Sequence, residues 1–340
     1  MENKVLIIAE AGVNHNGDIA LAKKLIDVAS VAGVDIVKFQ SFKTEALVSN
    51  KAEKAQYQLQ TTDKEQSQFQ MLKKLELSES DHDLLIAYCN QKGIQFLSTP
   101  FDEKSIEVLR NKGINIGKIP SGEITNLPYL QAMSKAFPKI ILSTGMATID
   151  EIKEAIEVLI QSGAKKNDIT ILHCNTEYPT PMEDVNLKAM LHIQKELGVA
   201  FGYSDHTLGI EVPIAAVALG ATVIEKHFTL DRNMEGPDHK ASLEPGELKE
   251  MIKAIRNIEK AISGSGKKEP SPSELKNKNI ARKSIHLSKD LMKGHSLTCS
   301  DLIMKRPGSG ISPMQIENII GHKLKYNLNA DHMLGLQDLI

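Results

Sequence analysis

Within residues 1–262, eight short runs rich in β-branched and aliphatic residues recur, at 5–12, 36–40, 95–100, 116–120, 139–145, 169–175, 199–206 and 222–229. Runs such as VLIIA, KIILS and ITILH are apolar on both faces, the pattern of parallel strands buried on both sides. Each is followed by a stretch of helical period, for example 19–31, 150–161 and 243–262. Eight β-then-α units in about 260 residues match a (β/α)8 TIM barrel in count and length. A doubly wound sheet would use fewer strands and a Gly-rich dinucleotide turn after the first, and AEAGVNHNG is not GxGxxG. The expected fold is therefore α/β, a closed parallel barrel.

The chain continues beyond the eighth unit. Residues 263–281, SGSGKKEPSPSELKNKNIA, are rich in Gly, Ser, Pro and Lys and read as a linker. Residues 282–340 carry short strand-like runs (SIHLS, LIMKR, HKLKY) between KG, RPGSG and SP turns, which predicts a small, mainly β second domain. Inside the barrel region, residues 44–70 form a polar stretch too long for an ordinary βα loop, expected to be a lid or rim over the active face.

Polar residues cluster where the strands end, and in a barrel those C-terminal ends converge on the catalytic face. His206 and His227 close the last two strands, with Asp205 and Glu225 beside them. Paired imidazoles of this kind suit Mn, Zn, Co or Mg, although two isolated histidines serve equally well as hydrogen-bonding groups in a barrel mouth. Lys38 and Lys118 put cations inside an apolar barrel, where each needs an anion. Flanked by the hydroxyls of Thr99, Ser121, Ser143 and Ser204, they read as a phosphate or carboxylate cradle. A Schiff-base aldolase would need just one of them, and no metal. Glu10 and Glu123 are candidate general acids or bases. Asn14, His15 and Asn16 read as a turn chosen for its conformational tolerance, while Tyr178 and Asp238 lie in loops suited to hydroxyl-rich ligands.

Charge and cysteine content exclude several classes of partner and setting. With Lys+Arg 41 against Asp+Glu 43 the net charge is -2, so no basic field exists to hold nucleic acid. Three cysteines without CxxC spacing point to a reducing compartment. The longest apolar stretch, 212–224, is below a membrane span, and the N-terminal apolar run is too short for a signal peptide. A cytoplasmic location with no membrane partner is expected.

Ten motifs, in order, resemble the sialic acid synthase family: IAEAGVNHNG, VKFQSFK, LSTPFD, KIPSGE, LSTGMAT, LHCNTEYPTP, GYSDHT, IEKHFTLD, GPDH and KRPGSGISP. The resemblance implies a TIM barrel followed by an antifreeze-like (SAF) domain. It implies a metal-dependent condensation of phosphoenolpyruvate with an N-acylated mannose-type sugar, giving a nine-carbon keto sugar acid and phosphate. By it, His206 and His227 hold the divalent metal, manganese by preference and magnesium or cobalt otherwise. Lys38, Thr99, Lys118, Ser121, Ser143, Ser204 and the two histidines surround phosphoenolpyruvate. The chemistry of the residues is compatible with this, Glu10 serving the cationic former enol carbon by guiding water and Glu123 assisting proton traffic at the aldehyde oxygen. Gln40, Glu123, Tyr178 and Asp238 face the sugar, and Arg306 comes from the antifreeze-like domain of the other subunit of a homodimer. The motifs are shared by enzymes acting on N-acetylmannosamine and on 2,4-diacetamido-2,4,6-trideoxymannose. N-acetylneuraminate synthase is the first expectation and legionaminic acid synthase the alternative, ahead of a Schiff-base aldolase or a non-catalytic sugar-binding protein.

Overall fold

The structure, a computed structural model, describes residues 4–49, 51–63 and 65–340. It divides into two compact units, Met1–Gly264 and Ser265–Ile340.

The first unit is built on eight parallel strands: β1 (Leu6–Gly12), β2 (Ile36–Ser41), β3 (Gln95–Pro100), β4 (Ile116–Ile119), β5 (Lys139–Ser143), β6 (Ile169–His173), β7 (Ala200–Asp205) and β8 (Val223–His227). Their ladder runs β3-β2-β1-β8-β7-β6-β5-β4, and contacts between β3 and β4 close the ring. This is the expected TIM barrel. Residues on the outer strand faces, such as Ile7, Phe39 and Ile224, join one core with the surrounding helices. Helix ends follow local chemistry: Asp18 accepts from the Ala20 amide to start Ile19–Ala32, and Gly33 ends it at φ 84, a left-handed conformation that glycine adopts without strain.

Inward residues are stacked with the strand period of two. Ile8, Ile36, Leu97, Ile141, Leu172 and Val223 form an apolar floor. At Gly202 a Cβ would lie 2.2 Å from the Val223 carbonyl oxygen, so a bare backbone is needed there. Two residues further along the strands the same inward face becomes polar, with Glu10, Lys38, Thr99, Ser143 and Glu225, all buried. The apolar floor thus sets the depth at which charged chemistry begins.

Between β2 and helix Glu79–Lys92, the segment read as a lid carries three short helices, Thr44–Leu47, Gln56–Thr61 and Gln68–Lys73. Asn50 and Lys64 within it lie outside the described residues. It docks through Met71 and Leu75 on Val13 and Phe42, with Leu47, Leu72 and Phe101 around them.

In the second unit, strands β9 (Ser284–Leu287) and β10 (Leu302–Lys305) pair antiparallel. The segment 322–326 forms isolated bridges rather than the third strand expected. A core of nine buried aliphatic residues, including Ile285, Leu297 and Leu324, organises the turns. The stretch read as a linker contains a helix, Pro272–Ala281, started by Ser271 and Glu274 in a capping box.

Candidate active site

The strand register brings the first site residues together. Glu10 is paired with Lys38 on one side and with His227 on the other, and Ser204 is paired with Glu225. These side chains open into one cavity of about 320 Å3, which Gln40, Thr99, Lys118, Ser121, Ser143, Tyr178, His206 and Asp238 also line.

Its lower layer is a balanced set of buried charges. Lys38 Nζ stands 2.7 Å from Glu10 Oε2 and donates to Thr99 Oγ1 at 2.9 Å. Lys118 Nζ donates to Ser143 Oγ at 2.7 Å. Glu225 Oε1 lies 3.7 Å from both ammonium groups and accepts from Ser204 Oγ. Burial works against every one of these charges, and the neighbours decide each outcome. Burial pushes Glu10 up to about 7 despite the opposing Lys38. For Glu225 burial is outweighed by Lys118 and Lys38, which hold its carboxyl below the ordinary value. Lys38 is held above its ordinary value because Glu10 and Glu225 overcome burial, whereas Lys118 falls below it because burial exceeds the pull of Glu225.

One layer higher, the His206 ring stacks on Tyr178 with centroids 4.0 Å apart, and the two imidazoles stand 5.3 Å apart. His206 Nδ1 faces the Asn175 carbonyl oxygen, which fixes the proton there and leaves Nε2 as the acceptor facing Tyr178 Oη at 3.0 Å. His227 Nδ1 is buried without a hydrogen-bond partner among the described residues, and Asp238 Oδ2 lies 4.0 Å from it. Burial lowers His206 to about 4 and holds His227 well below its ordinary value, so both rings are neutral near pH 7. A divalent cation requires neutral imidazoles with an available lone pair; the unpartnered His227 nitrogen offers one, whereas the His206 Nε2 lone pair faces the Tyr178 hydroxyl, which a cation would have to displace. Among the described residues no group of three or more His, Cys, Asp or Glu side chains is placed to hold a metal ion, so the protein groups that would hold one here are the two imidazoles.

Two expected site residues are not among those that line this cavity. Glu123 sits in a short 3-10 turn, Ser121–Glu123, where its Oε2 accepts from Asn126 Nδ2 at 2.6 Å, and it is absent from the cavity lining. Its partner Asn126 is the residue that caps the helix Leu127–Ala136. Arg306 belongs to the second unit, exposed, with its Nε donating to the Ala281 carbonyl oxygen at 3.1 Å.

A model of the NeuB family matches residues 25–268, and one of the SAF domain matches 282–340. The chain belongs to the NeuB family. It is 56% identical over 331 residues to the N,N'-diacetyllegionaminic acid synthase of Campylobacter jejuni, covering 97% of this chain and 99% of that one. It is 50% identical over 327 residues to the enzyme of the same name from Legionella pneumophila, covering 95% and 91%. Among solved structures, the N-acetylneuraminic acid (sialic acid) synthetase of Leptospira borgpetersenii in complex with citrate is similar at a TM-score of 0.72 and 36% identity, over 81% of this chain and 90% of that one.

In this NeuB barrel the residue that sequence reasoning undervalued is Glu225. The sequence places it only as a neighbour of the histidines, yet its carboxylate faces both ammonium groups, sharing Lys38 with Glu10 and standing as the carboxylate nearest Lys118. The signal was available: Glu225 and His227 are two apart on one strand and so share the inward face.

Proposed function

We propose that this chain condenses phosphoenolpyruvate with 2,4-diacetamido-2,4,6-trideoxymannose and water, releasing N,N'-diacetyllegionaminic acid and phosphate. The observation that carries the reaction class is the stacking of a two-lysine anion cradle under two neutral imidazoles in one cavity. The choice of sugar rests on the relatives. Motif resemblance put N-acetylmannosamine first, and identities of 56% and 50% with two N,N'-diacetyllegionaminic acid synthases, against 36% with a sialic acid synthetase, reverse that order.

In this reading Lys38 and Lys118, with Thr99, Ser143 and Ser204, bind the phosphate and carboxylate of phosphoenolpyruvate through charge-assisted hydrogen bonds. A divalent cation held by His206 and His227, manganese by preference, would supply Lewis-acid polarisation of the sugar aldehyde. Phosphoenolpyruvate C3 bonds to the aldehyde carbon, leaving cationic character at C2. Glu10, poised at about 7, guides the water that adds there and takes its proton. Asp238, which burial raises to about 6, replaces Glu123 as the carboxyl that hands a proton to the former aldehyde oxygen. Phosphate then departs with its bridging oxygen as hydrogen phosphate, carrying the C2 hydroxyl proton, and a ketone remains at C2, while the proton held by Glu10 balances the one that Asp238 gave up. The same reading retains a homodimer, with Arg306 from a second chain as a sugar-binding cation, and a cytoplasmic setting; among the described residues no helix is long and apolar enough to cross a membrane.

Mass spectrometry of the product tests it. Incubation of both substrates with manganese should yield a species heavier than the sugar by one pyruvic acid unit, formed with equimolar phosphate. Intact sugar after complete turnover conditions would refute the reading.

A further inference from the structure

One side of the cavity has no part in the chemistry described above. Val13, Leu47, Met71, Leu72, Leu75 and Phe101 all line it, and all belong to a single apolar cluster. They come from the segments after β1, β2 and β3. In an eight-strand ring β2 and β3 face β6 and β7, whose ends carry Tyr178 and His206. A sugar whose aldehyde lies at the imidazoles, above the anion cradle, therefore directs its far end across the ring toward this wall.

We propose that this apolar wall sets acceptor selectivity, taking the C6 methyl of a 6-deoxy sugar and disfavouring a C6 hydroxyl. The inference rests on the synthase reading and adds to it the side chains that distinguish the two acceptors. A hydroxyl pressed against aliphatic carbon loses its water without gaining a partner, whereas a methyl group gains apolar burial. An apolar pocket rejects an added hydroxyl by up to roughly a hundredfold, which bounds the discrimination available here. Leu47 and Leu72 are the informative positions, because they are half-buried and lie at the edge of the cluster, while Met71 and Leu75 anchor it.

The test compares kcat/KM for N-acetylmannosamine and its 6-deoxy analogue, which differ only at C6, alongside 2,4-diacetamido-2,4,6-trideoxymannose, by phosphate release with saturating phosphoenolpyruvate and manganese. The wild-type chain should favour the 6-deoxy sugar. Leu72→Asn and, separately, Leu47→Asn should each lower that preference by on the order of tenfold, while Leu72→Met, apolar and of similar volume, keeps it. The KM for phosphoenolpyruvate reports whether the cradle beneath is disturbed, and circular dichroism whether each variant is folded. Preference unchanged within twofold in whichever Asn variant folds would overturn the proposal. So would a wild-type preference for N-acetylmannosamine over the 6-deoxy sugars, which would also overturn the choice of acceptor while leaving the reaction class standing. Release with none of the sugars would remove both.

Discussion

The side-chain amide of Asn14 donates to Ser242 Oγ across 2.9 Å, tying the turn after β1 to the segment that follows β8. Ser242 Oγ in turn donates to the Asp238 carbonyl oxygen at 2.7 Å, and the Asn14 amide also reaches the Phe228 carbonyl oxygen at 2.8 Å. Asn16 spans the same gap, with its Nδ2 on the Glu235 carbonyl oxygen and its Oδ1 accepting from His239 Nε2. The NHNG turn does adopt a left-handed residue, Asn16 at φ 52, but its side chains also hold the loop that presents Asp238 to the cavity.

Asn14→Ala should therefore weaken sugar binding while sparing the cradle. The expected result is a three- to tenfold rise in sugar KM, roughly 0.7–1.4 kcal/mol, with the phosphoenolpyruvate KM changed by less than about twofold. Equal effects on both constants would show a general loss of structure instead. Steady-state kinetics with each substrate varied in turn separates the two.

Lys118 distinguishes an anion-binding lysine from a Schiff-base one. Its ammonium rests on Ser143 Oγ and faces Glu225, and burial lowers its pKa, a property that both roles share. Borohydride added during turnover should trap no adduct by intact mass, and Lys118→Met should raise the phosphoenolpyruvate KM by about tenfold or more. A reduced covalent adduct on Lys118 would favour the aldolase chemistry.

The paired imidazoles predict a cation requirement. Chelation should abolish turnover and manganese restore it, while His227→Ala lowers the rate by on the order of a hundredfold or more. Calorimetric titration of the apo chain should show manganese binding that His227→Ala and His206→Ala each weaken. Full activity of His227→Ala under chelator would remove the histidines from the reaction.

His15 gives a pH signature of stability away from the site. It is wholly buried, its Nδ1 accepts from the Gly17 amide, and burial lowers it to about 4 from an ordinary 6.5. A lowered imidazole leaves the unfolded chain binding the proton first, so the stabilising contribution is full above pH 6.5 and lost as pH falls toward 4. Wild-type stability relative to His15→Gln should fall by about 3 kcal/mol at most across that window and level off below it. Denaturant unfolding across the pH series, giving parallel curves, would contradict this.

The barrel was legible in the sequence because its strands are short, apolar on both faces and regularly spaced. Polar residues at the strand ends pointed to one face, and twelve of the fourteen expected site residues line one cavity there, Ser121, Tyr178 and Asp238 reaching it from loops. What escaped depended on side-chain partners. Glu123 has the right residue type at the right strand end, but a neighbouring amide, Asn126, engages it. Helix Pro272–Ala281 was masked by the Gly, Ser and Lys around it, although Ser271 and Glu274 spell its capping box. The helices of 44–70 are only four to six residues long, too short for a period to register, and they are held by docking of Met71 and Leu75.

The account stands most directly on phosphate release from phosphoenolpyruvate, measured with each acceptor sugar in the presence of manganese and again with chelator. It predicts release only when sugar and cation are both present, with kcat/KM higher for 2,4-diacetamido-2,4,6-trideoxymannose than for N-acetylmannosamine. Release independent of the sugar, undiminished by chelator, or absent with both sugars would contradict it.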